Sequence, residues 1–190
     1  MSWIRQESTA GVPAPLQALF EQIRARSAHH EVASVWRTLA LDPAGLEATF
    51  ALVRALMDDP APLTRAQAEG IAVVVSVTNG CGYCVAHHGP RLAAALGDET
   101  LARAVALDYR EANLPARDRV LLDACVALTC EPAERTRADV ERLREYGFSD
   151  VAVLKATEIA ALYGLINRLV SGLGITLESG VEPWEFGSAT

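Results

Sequence analysis

The stretch TRAQAEGIAVVVSVTNGCGYCVAHHG, residues 64–89, decides how this chain folds. Thr64 followed by Gln67 has the pattern of a capping box, so a helix is expected to begin there. Residues 71–77 are apolar and rich in β-branched side chains, and on their own they are also compatible with a buried strand. We predict a helix, because the segment from 64 to 78 has helical length and a buried helix can be apolar on all sides.

The second half of the same stretch carries the chemistry. Asn79-Gly80 is expected to end the first helix, and a second helix begins at or near Cys81. Successive helical residues rotate by about 100°, so Cys81, Cys84 and His88 share one face. Two thiols one turn apart at a helix start can form a disulfide, and helix amides with a nearby imidazole favour the reactive thiolate. This face is therefore predicted to be a redox site.

Helical signals recur along the rest of the chain. Asp42-Pro43 has the form of an N-cap followed by a proline at the first helical position. Ser149 is expected to cap a long final helix that ends near residue 170. No stretch outside residues 64–89 makes a convincing strand. We therefore predict an all-α fold, with residues 1–170 as one helical domain.

Two further segments carry specific expectations. We expect a helix over residues 131–147, opened by a Glu-Pro pair and closed by a glycine. After residue 170 the helical periodicity stops, and the segment 171–190 is a glycine-rich tail that contains Trp184 and Phe186. An aromatic tail of this kind is expected to dock on its own domain or on a neighbouring subunit.

Composition excludes several classes of protein. The 190 residues include 17 Lys+Arg and 24 Asp+Glu, for a net charge of −7, and this acidic balance argues against a nucleic-acid partner. No apolar run approaches the roughly 20 residues needed to cross a bilayer. Four cysteines are too few for a disulfide scaffold, so we expect a cytoplasmic protein whose thiols are mostly reduced.

A zinc site is an alternative interpretation of the same residues. Cys81, Cys84 and His88 would supply three ligands and Glu69 a fourth. Structural zinc usually takes a second pair of ligands from another hairpin or loop, and the sequence shows none. We therefore expect neither a metal nor another cofactor.

Several other polar or reactive residues are expected to have ordinary structural roles. Cys125 and Cys130 are predicted to be buried packing residues on a core helix. His29 and His30 are predicted to be an exposed pair. Glu69 taken alone would be a solvated glutamate favoured by the helix dipole. A functional role for Glu69 therefore depends on the pattern of residues that follows it.

The pattern Glu69-x11-Cys81-x-x-Cys84-x-x-x-His88 resembles the AhpD-like family within the carboxymuconolactone decarboxylase superfamily. The resemblance is centred on residues 63–107. It implies an all-α orthogonal helical bundle that assembles as a homo-oligomer, commonly a trimer or a hexamer. It also implies thiol-dependent reduction of a small hydroperoxide.

The resemblance assigns roles to these residues. Cys84 is the peroxidatic thiol, Cys81 resolves it, and His88 with Glu69 forms the proton relay. A dithiol or lipoyl-bearing protein would supply the electrons. The family's best-known member has a histidine between the two cysteines where this chain has Tyr83, and a phenol is a poorer proton shuttle than imidazole at neutral pH. Tyr83 is expected to orient a water molecule or to hydrogen-bond to the relay carboxylate.

Reasoning from the residues alone leaves alternatives open. In a Cys-x-x-Cys pair at a helix start the first cysteine usually has the lower pKa, whereas the resemblance assigns attack to the second, which has His88 four residues on. A thioredoxin-fold oxidoreductase, a decarboxylase-type enzyme of the superfamily and a non-enzymatic redox switch are the rival functions.

Overall fold

The computed structural model describes residues 2–27 and 30–187. Over those residues the chain forms nine α-helices, one 3-10 turn and no strand. The helices are α1 (Ala14–Ala25), α2 (Ser34–Leu39), α3 (Pro43–Met57), α4 (Arg65–Thr78), α5 (Gly82–Leu96), α6 (Glu99–Asp108), α7 (Ala116–Cys130), α8 (Arg137–Glu145) and α9 (Asp150–Gly172). The all-α prediction is confirmed, and the thioredoxin-fold alternative, which requires a sheet, is wrong.

Helix α4 is the central element of the bundle. The Thr64 hydroxyl accepts from the Gln67 N–H at 3.1 Å, and the Thr64 N–H donates to Gln67 Oε1 at 2.9 Å, so the predicted capping box is present. All residues from Gln67 to Ser76 are buried, because α5, α6, α7 and α9 pack around this helix. The apolar, β-branched run is therefore explained by a helix without a solvent-facing side.

Two local expectations differ from the structure, and one short helix had no prediction. Helix α2 has six residues and no side-chain cap, which leaves little in the sequence to predict it. Asp42 occupies the N-cap position of α3 but makes no capping hydrogen bond. The helix expected over 131–147 is instead a 3-10 turn, Pro132–Glu134, followed by α8, whose start is fixed by the Asp139 carboxylate accepting from the Thr136 N–H at 2.6 Å.

The described part of the tail, residues 173–187, packs against α5 and α6 of its own chain. Trp184 is buried over Gly89, where an added Cβ would lie 2.7 Å from the indole ring. Phe186 lies over Gly82, where a Cβ would lie 3.1 Å from the ring. These two glycines let the aromatic side chains approach the helix backbone, so the tail covers the outer side of the Cys-x-x-Cys helix.

The remaining structural expectations have mixed outcomes. Cys125 is buried as predicted, whereas Cys130 is exposed at the end of α7, so its prediction as a packing residue is wrong. His30 is exposed, and His29 lies outside the described residues. None of the described helices is both long and apolar enough to cross a membrane.

Candidate active site

The two cysteines lie at the turn between α4 and α5. Gly80 has a φ of +66°, a conformation that favours glycine, and it turns the chain sharply after α4. The Cys81 N–H donates to the Ser76 carbonyl at 2.8 Å, which fixes Cys81 at the N-cap of α5. Cys84 follows in the first turn of the helix. Both thiols are buried, and neither is in a disulfide.

The pKa values of the two cysteine thiols are shifted in opposite directions. A hydrogen bond from the Cys84 thiol, together with the backbone N–H groups of Tyr83 and Cys84, lowers the pKa of Cys81 to about 7 in spite of burial. The same hydrogen bond, with burial, raises the pKa of Cys84. The N-terminal end of a helix stabilises a negative charge, so the first proton leaves the pair near neutral pH and the charge resides mainly on Cys81.

We expect a thiolate absorbance titration of the reduced protein to show a step near pH 7. The signal increases as the pH rises, because the thiolate is the absorbing form and ordinary cysteines titrate closer to pH 8.5. In Cys81→Ser the step should disappear. Cys125→Ser should keep it, since burial raises the pKa of Cys125 to about 12. A wild-type titration without a step below pH 8 would contradict the geometry of the pair.

A buried imidazole and a buried carboxylate connect α5 to α4. His88 Nδ1 lies 2.7 Å from Glu69 Oε2, and Glu69 is only 1% exposed. Arg65 Nε lies 3.3 Å from the other carboxylate oxygen, an ion-pair distance without the geometry of a hydrogen bond. The Tyr163 hydroxyl lies 3.4 Å from the same His88 nitrogen, and its ring meets the imidazole edge-on.

The pKa values of Glu69 and His88 define the protonation state of this pair. Burial alone would raise the pKa of Glu69, but His88 and the cations of Arg91 and Arg65 lower it overall. Burial lowers the pKa of His88, and this outweighs the raising effect of Glu69. Glu69 is therefore ionised and His88 neutral, with Nδ1–H donating to the carboxylate. His88 Nε2 is left as a base, the arrangement of the histidine in a catalytic triad.

Tyr83 faces a different set of partners. Its hydroxyl donates to Glu178 Oε1 at 2.7 Å and accepts from the Val35 N–H at 3.3 Å. Glu178 also contacts His87 Nε2 at 2.9 Å, and these contacts lower the pKa of Glu178 to about 2 against the opposing effect of burial. Burial and the Glu178 charge raise the pKa of Tyr83. The hydrogen bonds of Tyr83 thus go to the tail and to α2, and none goes to Glu69.

Asn167 of α9 is a buried hydrogen-bonding neighbour of the cysteine pair. It is 1% exposed, donates to the Ser76 hydroxyl at 3.0 Å and accepts from the Asn79 side chain at 2.9 Å. Its side chain also lowers the pKa of both cysteines, although neither residue is near it in sequence. The signal in the sequence is a single amide on the otherwise apolar buried stripe of α9.

A cavity of about 90 Å³ is lined by one of the two cysteines. Cys84, His88 and Glu69 line it, together with Tyr163, and Cys81 does not. The remaining wall combines apolar side chains, among them Trp36 and Val53, with the arginines Arg26, Arg65 and Arg91. A small molecule that enters the cavity therefore meets Cys84 and His88 but not Cys81.

The structure does not support the zinc alternative. Among residues 2–27 and 30–187, no group of three or more His, Cys, Asp or Glu side chains is arranged to hold a metal ion. His88 Nδ1 is hydrogen-bonded to the Glu69 carboxylate, and the two cysteine sulfurs are hydrogen-bonded to each other.

Comparisons with known proteins agree with this architecture. Residues 43–108 match the model of the carboxymuconolactone decarboxylase family. The chain is similar to the alkylhydroperoxidase AhpD core, an uncharacterized peroxidase-related protein of Ralstonia eutropha JMP134, with 31% identity over 96% of this chain and 97% of that chain and a TM-score of 0.86. An uncharacterized peroxidase-related protein of Silicibacter sp. TM1040 has 29% identity over 95% and 93% of the two chains and a TM-score of 0.87.

A more distant likeness concerns the fold alone. The debrominase Bmp8 has 18% identity, a TM-score of 0.79, and coverage of 92% of this chain and 91% of its own. No curated protein sequence matches the chain.

Proposed function

Because the chain belongs to the AhpD-like family of the carboxymuconolactone decarboxylase superfamily, we propose that it reduces hydroperoxides with its cysteine pair. The observation that carries the proposal is the position of Cys84. It is the cysteine of the pair that lines the cavity, and it does so beside the ionised Glu69 and the neutral His88. This is the placement expected of a peroxidatic thiol with a base in reach.

In the first step Cys84 attacks the terminal oxygen of the hydroperoxide. The pair has lost one proton near neutral pH, and the remaining proton moves along the hydrogen bond to Cys81, which leaves the thiolate on Cys84. The O–O bond breaks, Cys84 becomes a sulfenic acid, and the departing alkoxide takes a proton to become an alcohol. His88 Nε2 first takes up the proton that the cysteine pair released and then donates it to the alkoxide, and Glu69 stabilises the imidazolium in between.

In the second step the Cys81 sulfur attacks the sulfur of the Cys84 sulfenic acid. The hydroxyl leaves and takes the Cys81 proton, so water and a disulfide are the products. An external dithiol then reduces the disulfide through a mixed disulfide and becomes a disulfide itself. In total, one hydroperoxide and one dithiol give one alcohol, one water molecule and one oxidised dithiol.

We propose that the electron donor is a dithiol or a lipoyl-bearing protein and that the protein works in the cytoplasm, where thiols are kept reduced. A homo-oligomer, a trimer or a hexamer, is also proposed. Exposed apolar side chains on one face of α9 support it, namely Val151, Leu154 and Leu165.

Free-thiol titration and turnover together test the proposed function. One equivalent of cumene hydroperoxide should reduce the free thiols per chain from four to two, and dithiothreitol or dihydrolipoamide should then sustain many turnovers. Cys125→Ser and Cys130→Ser serve as controls, because each should still lose two thiols. A decarboxylase-type enzyme would lose no thiols, and a redox switch would lose two thiols without turnover. Either result would overturn the proposal.

A further inference from the structure

We infer that the preferred substrates are organic hydroperoxides that carry a carboxylate, and that Arg91 binds this carboxylate. The inference rests on the proposed peroxidase function and adds the class of substrate. It follows from the position of Arg91, from its lack of an ion-pair partner and from the apolar surface between Arg91 and Cys84.

Arg91 lies on the same face of α5 as the reactive residues. It lies seven positions after Cys84, which is nearly two full turns, or about 10 Å along the axis. His88 lies between them on this face. Helical side chains lean toward the N-terminus, so the guanidinium of Arg91 leans toward the turn that holds Cys84. Arg91 itself is exposed.

Arg91 also joins two cavities. It lines the cavity of about 90 Å³ that reaches Cys84 and an adjoining cavity of about 150 Å³ that does not. Trp36 and Val53 line both cavities as well. A molecule that extends from Cys84 toward solvent therefore passes an apolar surface and then meets a guanidinium.

The other cations of the inner cavity already have partners. Arg26 forms an ion pair with Asp58, and Arg65 lies 3.3 Å from a carboxylate oxygen of Glu69. Arg91 forms no ion pair with any residue of the described chain, although its charge lowers the pKa of Glu69 from beyond ion-pair distance. An unpaired cation at a cavity mouth is notable in a chain with a net charge of −7, because most of its surface would repel an anion.

The outer cavity does not supply the missing carboxylate either. Glu31 is the acidic residue among its described lining residues, and it forms no ion pair with Arg91. A guanidinium binds a carboxylate through two parallel hydrogen bonds, which gives both affinity and orientation. A bound carboxylate at Arg91 would hold the other end of the molecule toward Cys84.

These features define the substrate as a molecule with three parts. Its hydroperoxide group meets Cys84, an apolar carbon body lies along Trp36 and Val53, and its carboxylate meets Arg91. The carboxylate takes no part in breaking the O–O bond. Arg91 is therefore a specificity residue, and its loss is expected to raise KM more than it lowers kcat.

Two matched probes test this inference: cumene hydroperoxide and its analogue with a carboxylate para to the hydroperoxide-bearing carbon. Dithiothreitol, which is uncharged, is the reductant, so that any charge effect reports the peroxide. We expect the wild type to favour the carboxylate probe about tenfold in kcat/KM, the effect of one charge-assisted contact. In Arg91→Gln the ratio of the two kcat/KM values should fall to about one, through KM of the carboxylate probe.

Arg137→Gln is the matched control. It removes the same charge from α8, where the Arg137 side chain is 90% exposed and lies outside both cavities, and it should keep the wild-type ratio. Equal kcat/KM values for the two probes in the wild type would overturn the inference while leaving the peroxidase function intact. An equal fall of the ratio in both variants would also overturn it, because it would indicate a general charge effect. Turnover of neither probe would instead refute the proposed function.

Discussion

Cys84→Ser should lower hydroperoxide consumption by more than about 10³-fold, because the hydroxyl cannot replace the thiolate as nucleophile. Cys81→Ser should behave differently. It should reduce about one equivalent of hydroperoxide and then stop, since the sulfenic acid on Cys84 has no resolving thiol. Labelling with dimedone followed by peptide mass spectrometry would locate the sulfenic acid, which we expect on Cys84.

This pair of variants decides which sulfur attacks. The pKa of Cys81 is lowered to about 7 and that of Cys84 is raised, so acidity alone favours Cys81. Access favours Cys84, which lines the cavity with His88. A proton moves between two hydrogen-bonded sulfurs far more easily than a peroxide reaches a sulfur behind the cavity wall, so we expect access to decide. A sulfenic acid on Cys81 in Cys84→Ser, with rapid peroxide consumption, would reverse the assignment.

The local parts of this fold were open to prediction from sequence. The capping box at Thr64, the turn at Gly80 and the spacing from Cys81 to His88 all depend on neighbours within a few residues. The stretch 71–77 was ambiguous as a strand, and length together with the cap resolved it correctly. The contact between His88 and Glu69 joins two sequential helices, and the family pattern indicated it.

The parts that sequence reasoning missed come from distant segments. Asn167 and Tyr163 reach the site from α9, and Glu178 reaches it from the tail. No local rule places a residue of the last helix against a turn near residue 80, because that contact depends on how the whole bundle packs. Tyr83 shows the same limit, since the partner of its hydroxyl lies 95 residues later.

Glu69→Gln is expected to lower kcat/KM for hydroperoxides by about 10² to 10⁴-fold, the range for loss of general acid–base assistance. The amide keeps the shape of the side chain but can donate to His88 Nδ1. The imidazole would then carry its proton on Nε2 and lose its free basic nitrogen in the cavity that Cys84 also lines. The same change of tautomer disables a catalytic triad when its carboxylate becomes an amide.

Glu178→Gln is the matched control, because Glu178 also bonds to an imidazole of α5. Its partner is His87, at 2.9 Å, so the control variant should lose much less activity than Glu69→Gln. Equal losses in the two variants would contradict a specific role of the Glu69 carboxylate in setting the His88 tautomer, because the hydrogen-bonded imidazole of Glu178 is His87. A structural role would also leave the pH profile of kcat/KM unchanged, whereas loss of the base should change it.

Acid unfolding separates the two roles further. The pKa of Glu69 is lower in the folded protein than its ordinary value of 4.5, so its ionised form stabilises the fold above that value. This contribution is lost as the pH falls through the folded pKa. Glu69→Gln lacks the titrating group, and its free energy of unfolding should therefore depend less on pH in the acid range. A variant that stays folded at neutral pH, loses this acid dependence and loses peroxide turnover would place the ionised carboxylate in the proton relay.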